Sequence, residues 1–229
     1  DESHPTCARR FESIGVESNE ENRRVYRELL ITAEGCSEHF SGYILFDETI
    51  RQMTQEGKAF PEVISSAGSI PGIKVDKGTL DLPLHSGEKF TQGLDGLGER
   101  LVEYRELGAG FAKWRAVITI GNGIPSIACI EANMQALAMY ASMCQNADIV
   151  PIVEPEVLID GDHTVETSDV VSRATLRALY TALAEQDVHL EGTILKASMV
   201  ISGKDCGRQA GVEEVAEKTI ACLKNSVPG

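Results

Sequence analysis

Five charged residues stand where the surrounding pattern is apolar. Lys113 and Arg115 alternate with Ala112, Trp114 and Ala116 inside a strand-like run at 111–120. Glu154 follows the apolar run 149–153, Lys196 follows 192–195, and Lys74 sits within 73–75. A strand covered on both faces carries a charge only at a cost, unless the charge is paired or faces a polar cavity. Lysines gathered around a glutamate at strand ends, with Asp1 and Glu156 as further carboxylates nearby, suit Schiff-base chemistry. An unperturbed lysine has a pKa of ~10.4, so only about one in a few thousand is a free amine at neutral pH. Cationic neighbours and desolvation disfavour the ammonium; a pKa of roughly 7–8 requires a shift of ~3 units, on the order of 4 kcal/mol. Lys74, Lys113 and Arg115 would be those neighbours, and Glu154 would shuttle protons as carbinolamine becomes iminium. The same residues read equally as ion pairs lining the inside of a barrel.

Such side chains meet only if the chain alternates strand and helix. Apolar runs beginning near 43, 71, 111, 149 and 191 recur at ~30–40 residues, the size of a βα unit. Between them lie helical patterns. Ser18 and Glu21 form a capping box ahead of Val25, Leu29 and Leu30, which predicts a helix over 19–33. A polar helix is expected near 49–55, and one with Leu94, Leu97, Leu101 and Tyr104 on a common face follows a glycine-bearing loop. Further helices are expected over 126–145, 171–185 and 212–223. Regular alternation with apolar strands means a parallel sheet, doubly wound or closed into a barrel. In a barrel the carboxyl ends of different strands converge on one mouth.

Composition sets the outer bounds. The chain has 229 residues, 42% of them hydrophobic, and a formal net charge of −14, an ordinary globular profile. The acidic balance argues against nucleic acid as a partner, because phosphate backbones are bound by clustered Lys and Arg. No apolar run approaches the roughly 18 residues that cross a bilayer, and no signal peptide opens the chain, so no membrane partner is expected. Cys7, Cys36, Cys129, Cys144, Cys206 and Cys222 form no CxxC pair and no Cys/His ligand spacing, which reads as reduced thiols in an intracellular compartment. Asp160-Gly161-Asp162-His163 reads as a hydrogen-bonding turn rather than a metal site, and Gly121-Asn122-Gly123 as a strand-to-helix turn rather than a dinucleotide fingerprint. No metal and no cofactor are expected.

Several motifs occur in a fixed order: Asp1-Glu2-Ser3, Gly72-Ile73-Lys74-Val75-Asp76-Lys77-Gly78, Gln92-Gly93-Leu94-Asp95-Gly96-Leu97 and Phe111-Ala112-Lys113-Trp114-Arg115. They are followed by Val150-Pro151-Ile152-Val153-Glu154-Pro155-Glu156, Asp160-Gly161-Asp162-His163 and Leu190-Glu191-Gly192-Thr193-Ile194-Leu195-Lys196. In residues and order the chain resembles class I fructose-1,6-bisphosphate aldolase over essentially its whole length. The resemblance implies a lyase that reversibly cleaves fructose 1,6-bisphosphate to dihydroxyacetone phosphate and glyceraldehyde 3-phosphate in glycolysis and gluconeogenesis. Lys196 would be the Schiff-base lysine, and Glu154 the residue that exchanges protons with the carbinolamine. Lys113 would place positive charge beside the amine. Asp1 matches the aspartate that takes the C4 hydroxyl proton, and Lys74 a supporting active-site lysine. Arg10 matches an arginine that helps hold a phosphate, and Arg115 belongs to the same lining. The iminium serves as electron sink, so the family needs no zinc. A homotetramer in the cytoplasm is implied for complete chains, with a plastid open if a transit peptide has been lost.

The resemblance is imperfect in places. Ala197 follows Lys196 where the family usually has proline, which removes a rigid φ constraint beside the nucleophile. Arg9 stands where the family has lysine. Beyond Gly229 the family continues into a seventh strand with a Ser-Gly-Gly phosphate loop, an eighth strand with a Gly-Arg phosphate site, and a tail over the active site. The expected fold is therefore α/β, a TIM (β/α)8 barrel that is incomplete, with about five full strands and a stub of the first. Residues 1–229 would form one domain truncated at both ends. A non-catalytic module that binds sugar phosphate or a partner is the second reading.

Overall fold

A parallel strand needs a crossover before its neighbour, and the helices that supply the crossovers bury its outer face. The computed structural model describes residues 3–228 and builds that pattern. In chain order the elements are α1 (His4–Glu12), α2 (Glu20–Ile31), α3 (Cys36–His39), β1 (Gly42–Leu45), α4 (Asp47–Ile50), α5 (Phe60–Ser66), β2 (Ile70–Lys74), β3 (Thr79–Asp81), β4 (Lys89–Thr91), α6 (Leu97–Glu106), β5 (Phe111–Ile118), α7 (Ile127–Asn146), β6 (Val150–Val157), α8 (Val165–Glu185), β7 (Ile194–Leu195) and α9 (Val212–Ser226). One sheet runs β1-β2-β5-β6-β7, every pair parallel, and β3 and β4 form a separate hairpin. Among the described residues the sheet does not close: β1 and β7 are its two edges. No helix among them is long and apolar enough to cross a membrane.

The outer face of the sheet packs on its helices. Ile73, Ala112, Trp114, Ala116 and Val153 are fully buried there together with Leu137, Tyr140 and Leu183 of α7 and α8. Trp114 and Tyr140 stack with ring centroids 5.5 Å apart. Each large side chain so buried contributes roughly 1.5–3 kcal/mol. Because strand residues alternate, the residues between them, Lys113 and Arg115, face the inside. At the base of that inner face the ring of Phe111 lies across the neighbouring strands. A Cβ at Gly72 would come within 2.3 Å of it, and one at Gly42 within 2.8 Å, so both positions require glycine.

Several expectations need correction. α2 is capped by Asn19, which accepts from the Asn22 amide at 2.8 Å; Ser18 instead receives Arg23 through its carbonyl oxygen at 2.8 Å. Its buried face is Arg23, Arg27 and Ile31, whereas Val25, Leu29 and Leu30 are exposed. The arginines go inward because Glu48 lies there: Arg23 grips both its carboxylate oxygens, and Arg27 joins them. The helix near 49–55 is the short α4, cut off by a turn in which Thr54 N–H reaches the Lys58 carbonyl and Gly57 takes φ 81°. α8 begins six residues earlier than expected, where Thr164 accepts from the Thr167 amide. The β3–β4 hairpin, read as loop, has strands too short to show a period. α1 and α5 were not anticipated, although each begins with a proline in its first turn.

Candidate active site

Strand register brings the expected cluster together. Lys74, the last residue of β2, pairs in register with Lys113 of β5, and Arg115 pairs with Glu154 of β6. Beyond β7 the Lys196 amide donates to the Val153 carbonyl at 2.9 Å, which sets its side chain opposite Glu154. Contrary to the expectation that it ends a strand, Glu154 lies inside β6, which continues to Val157 because β5 keeps pairing with it.

Glu154 is the hub. Its Oε1 accepts from Lys196 Nζ, and its Oε2 lies 3.2 Å from Lys113 Nζ. The side chains of Glu154 and Lys113 are 5% and 7% exposed, whereas that of Lys196 is 57% exposed. The arrangement therefore has a buried carboxylate, a buried cation behind it, and an amine that an incoming carbonyl can reach. Burial of both Lys113 and Glu154 is tolerated because each charge has its partner.

Around the hub, Lys74 Nζ donates to Asp76 Oδ1 and to the Asp76 carbonyl oxygen, each at 2.8 Å. Asp76 Oδ1 also accepts from the Gly78 amide at 3.2 Å, which ties the end of β2 to the loop after it. Arg115 Nη1 donates to Glu156 Oε2 at 3.0 Å, two residues farther toward the mouth on both strands. Arg10 lies on the exposed side of α1 and donates to the Tyr26 hydroxyl at 3.4 Å. Asp1 lies outside the described residues.

Asp76 was visible in the motifs but carried no role there, and Glu156 was expected only as a further carboxylate near the cluster; each shows itself through the cation beside it, Lys74 two residues before Asp76 and Arg115 on the strand adjoining Glu156. The 160–163 turn packs against a second loop: Gly203 N–H donates to the His163 carbonyl at 2.8 Å, and a Cβ at Gly203 would strike the Gly161 carbonyl at 2.2 Å. Among the described residues no group of three or more His, Cys, Asp or Glu is placed to hold a metal ion, and none of the six cysteines is in a disulfide.

The chain that carries this lysine and carboxylate is similar to proteins of one family. The family model described as fructose-bisphosphate aldolase class-I matches residues 1–229. A probable fructose-bisphosphate aldolase class 1 from Xanthomonas campestris pv. campestris is 61% identical over 228 residues, an alignment that spans 100% of this chain and 68% of the relative. The cytosolic fructose-bisphosphate aldolase 4 of Arabidopsis thaliana is 50% identical, with 100% of this chain and 58% of the relative covered. Among solved structures, the fructose-bisphosphate aldolase of Plasmodium falciparum, crystallised with TRAP and a small-molecule inhibitor, superposes with a TM-score of 0.97 at 43% identity, over 100% of this chain and 66% of that one. The chain thus spans between 58% and 68% of the length of these relatives. It belongs to the class I fructose-bisphosphate aldolase family, TIM-barrel lyases of glycolysis that act on a sugar bisphosphate.

Proposed function

We propose that Lys196 forms the Schiff base in the reversible cleavage of fructose 1,6-bisphosphate. Its amine attacks the C2 carbonyl of the open-chain ketose to give a carbinolamine, and loss of water leaves an iminium. Glu154 takes the proton that the amine must lose and returns one to the departing hydroxyl, a role that needs a carboxylate in contact with the nitrogen. Lys113, held on the second oxygen of Glu154, keeps positive charge beside the reacting centre. Removal of the C4 hydroxyl proton, assigned to Asp1, breaks the C3–C4 bond; its electron pair moves into the iminium, which becomes an enamine as glyceraldehyde 3-phosphate leaves. Protonation at C3 and addition of water then release dihydroxyacetone phosphate and restore the amine. Lys74, Arg115 and Arg10 are the cations for the phosphoryl and hydroxyl groups of the substrate.

The contact between Lys196 Nζ and Glu154 Oε1, beside buried Lys113, carries this reading. Residues 1–229 form one barrel-type domain in it, complete chains form a homotetramer, and the compartment is the cytoplasm, as in the name of the Arabidopsis relative. No observation favours the non-catalytic reading. Cleavage of fructose 1,6-bisphosphate, followed by coupled detection of the triose phosphates, is expected to vanish in Lys196→Met with the fold retained. Activity in Lys196→Met within tenfold of the parent would refute the assignment.

A further inference from the structure

We propose that Glu156 is an internal counter-anion for Arg115, holding its guanidinium until a phosphoryl group displaces it, and so restricts this position to ligands more highly charged than a carboxylate. The proposal rests on the reading of Arg115 as a phosphate-binding residue.

Alternation along β5 and β6 puts Lys113 and Arg115, and Glu154 and Glu156, on the inner face, with Trp114 turned outward against Tyr140. The result is two ion pairs, one above the other. The lower, Lys113 with Glu154, is sealed. The upper, Arg115 with Glu156, is open, its side chains 47% and 32% exposed.

The upper contact is also single: one N–H of Arg115 meets one oxygen of Glu156, at 3.0 Å. Arg23 shows how this protein builds an arginine–glutamate pair meant to stay closed, with two N–H groups on the two oxygens of Glu48 and both side chains largely buried. A guanidinium has five donors in a planar fork that matches a phosphate. Among the described residues, Arg115 keeps most of that fork uncommitted while its charge is balanced.

An exposed ion pair is weak enough to exchange, and a phosphate dianion brings more charge and more acceptors than the carboxylate it replaces. A neutral sugar brings neither, so Glu156 stays in place against it. Discrimination by a group that must be displaced is a general route to specificity.

Inorganic phosphate is the probe, titrated calorimetrically into the parent protein and into Glu156→Gln, Glu156→Asp, Arg115→Ala and the Arg115→Ala/Glu156→Gln double variant. Glu156→Gln is expected to bind phosphate about two- to fivefold tighter, the range that corresponds to losing an exposed pair. Glu156→Asp, which keeps the carboxylate, is expected to return toward the parent affinity. In the Arg115→Ala background, Glu156→Gln is expected to change nothing. Unchanged or weaker binding in Glu156→Gln would overturn the proposal, since Glu156 would then be inert or a mere support for Arg115. A tightening that survives Arg115→Ala would overturn it too, because it would be a general charge effect. Phosphate forms no bond to Lys196, so this result and the lysine assignment stand or fall separately.

Discussion

Neutralising Glu154 should damage stability and chemistry by different amounts, and one further substitution should separate them. Lys113 Nζ lies 3.2 Å from Glu154 Oε2, and both side chains are buried. At that distance the attraction is about 5 kcal/mol for an effective dielectric of ~20. Desolvation offsets much of it in the intact pair, but Glu154→Gln takes a carboxylate away from a buried ammonium, and losing that charged contact costs about 1.5–3 kcal/mol. Lys196 contributes little to this loss, because its exposed amine can turn to water. Urea unfolding monitored by fluorescence of Trp114 should therefore show a lower midpoint for Glu154→Gln at unchanged slope. Lys113→Met/Glu154→Gln removes both charges and should recover part of the lost stability. Cleavage should stay depressed in both variants, by about 10²–10⁴-fold, the worth of a positioned proton-transfer group. A Glu154→Gln midpoint equivalent to less than about 1 kcal/mol of change, or a double variant no more stable than the single, would refute the reasoning from burial.

Gly72→Ala should destabilise the protein by about 1–3 kcal/mol through overpacking against the Phe111 ring, and Phe111→Leu should relieve part of the loss in thermal unfolding. Hydrogen bonds from Arg23, and then from Arg27, hold the Glu48 carboxyl down at about 2, below its ordinary value of 4.5. A depressed carboxyl contributes stability above its unfolded pKa and loses it as pH falls through the folded one. Discounted for solvent screening of this partly buried group, stability on the order of 2 kcal/mol should thus disappear between about pH 4.5 and 2, and Glu48→Gln should flatten that part of a pH–stability profile. Burial pushes the Cys129 thiol up to about 11 and also raises Cys222 and Cys144. Iodoacetamide at pH 8 should accordingly label partly exposed Cys36 and Cys206 well before these three, by peptide mass mapping.

The alternation of strands and helices was legible because buried parallel strands are apolar runs and the helices between them repeat at 3.6 residues. Charges inside or directly after those runs marked Lys113, Glu154 and Lys196 for the same reason: each is an exception to the pattern that buries its neighbours. What the pattern could not show is which side of a helix faces inward when the interior offers a charge. α2 presents its arginines rather than its leucines because Glu48, from a different element, lies beneath it. The β3–β4 hairpin escaped notice because three residues cannot display a period of two. The weights of Lys74 and Arg115 depend on Asp76 and Glu156, partners fixed by backbone geometry and strand register that residue types alone do not specify.

Trapping the covalent intermediate is the most direct measurement. Sodium borohydride added with dihydroxyacetone phosphate reduces an imine to a stable secondary amine, and peptide mass spectrometry then locates it. The modified residue is expected to be Lys196, at one adduct per chain, with none in Lys196→Met. An adduct on Lys74 or Lys113, or no adduct under turnover conditions, would contradict the placement of the nucleophile on the carboxylate of Glu154.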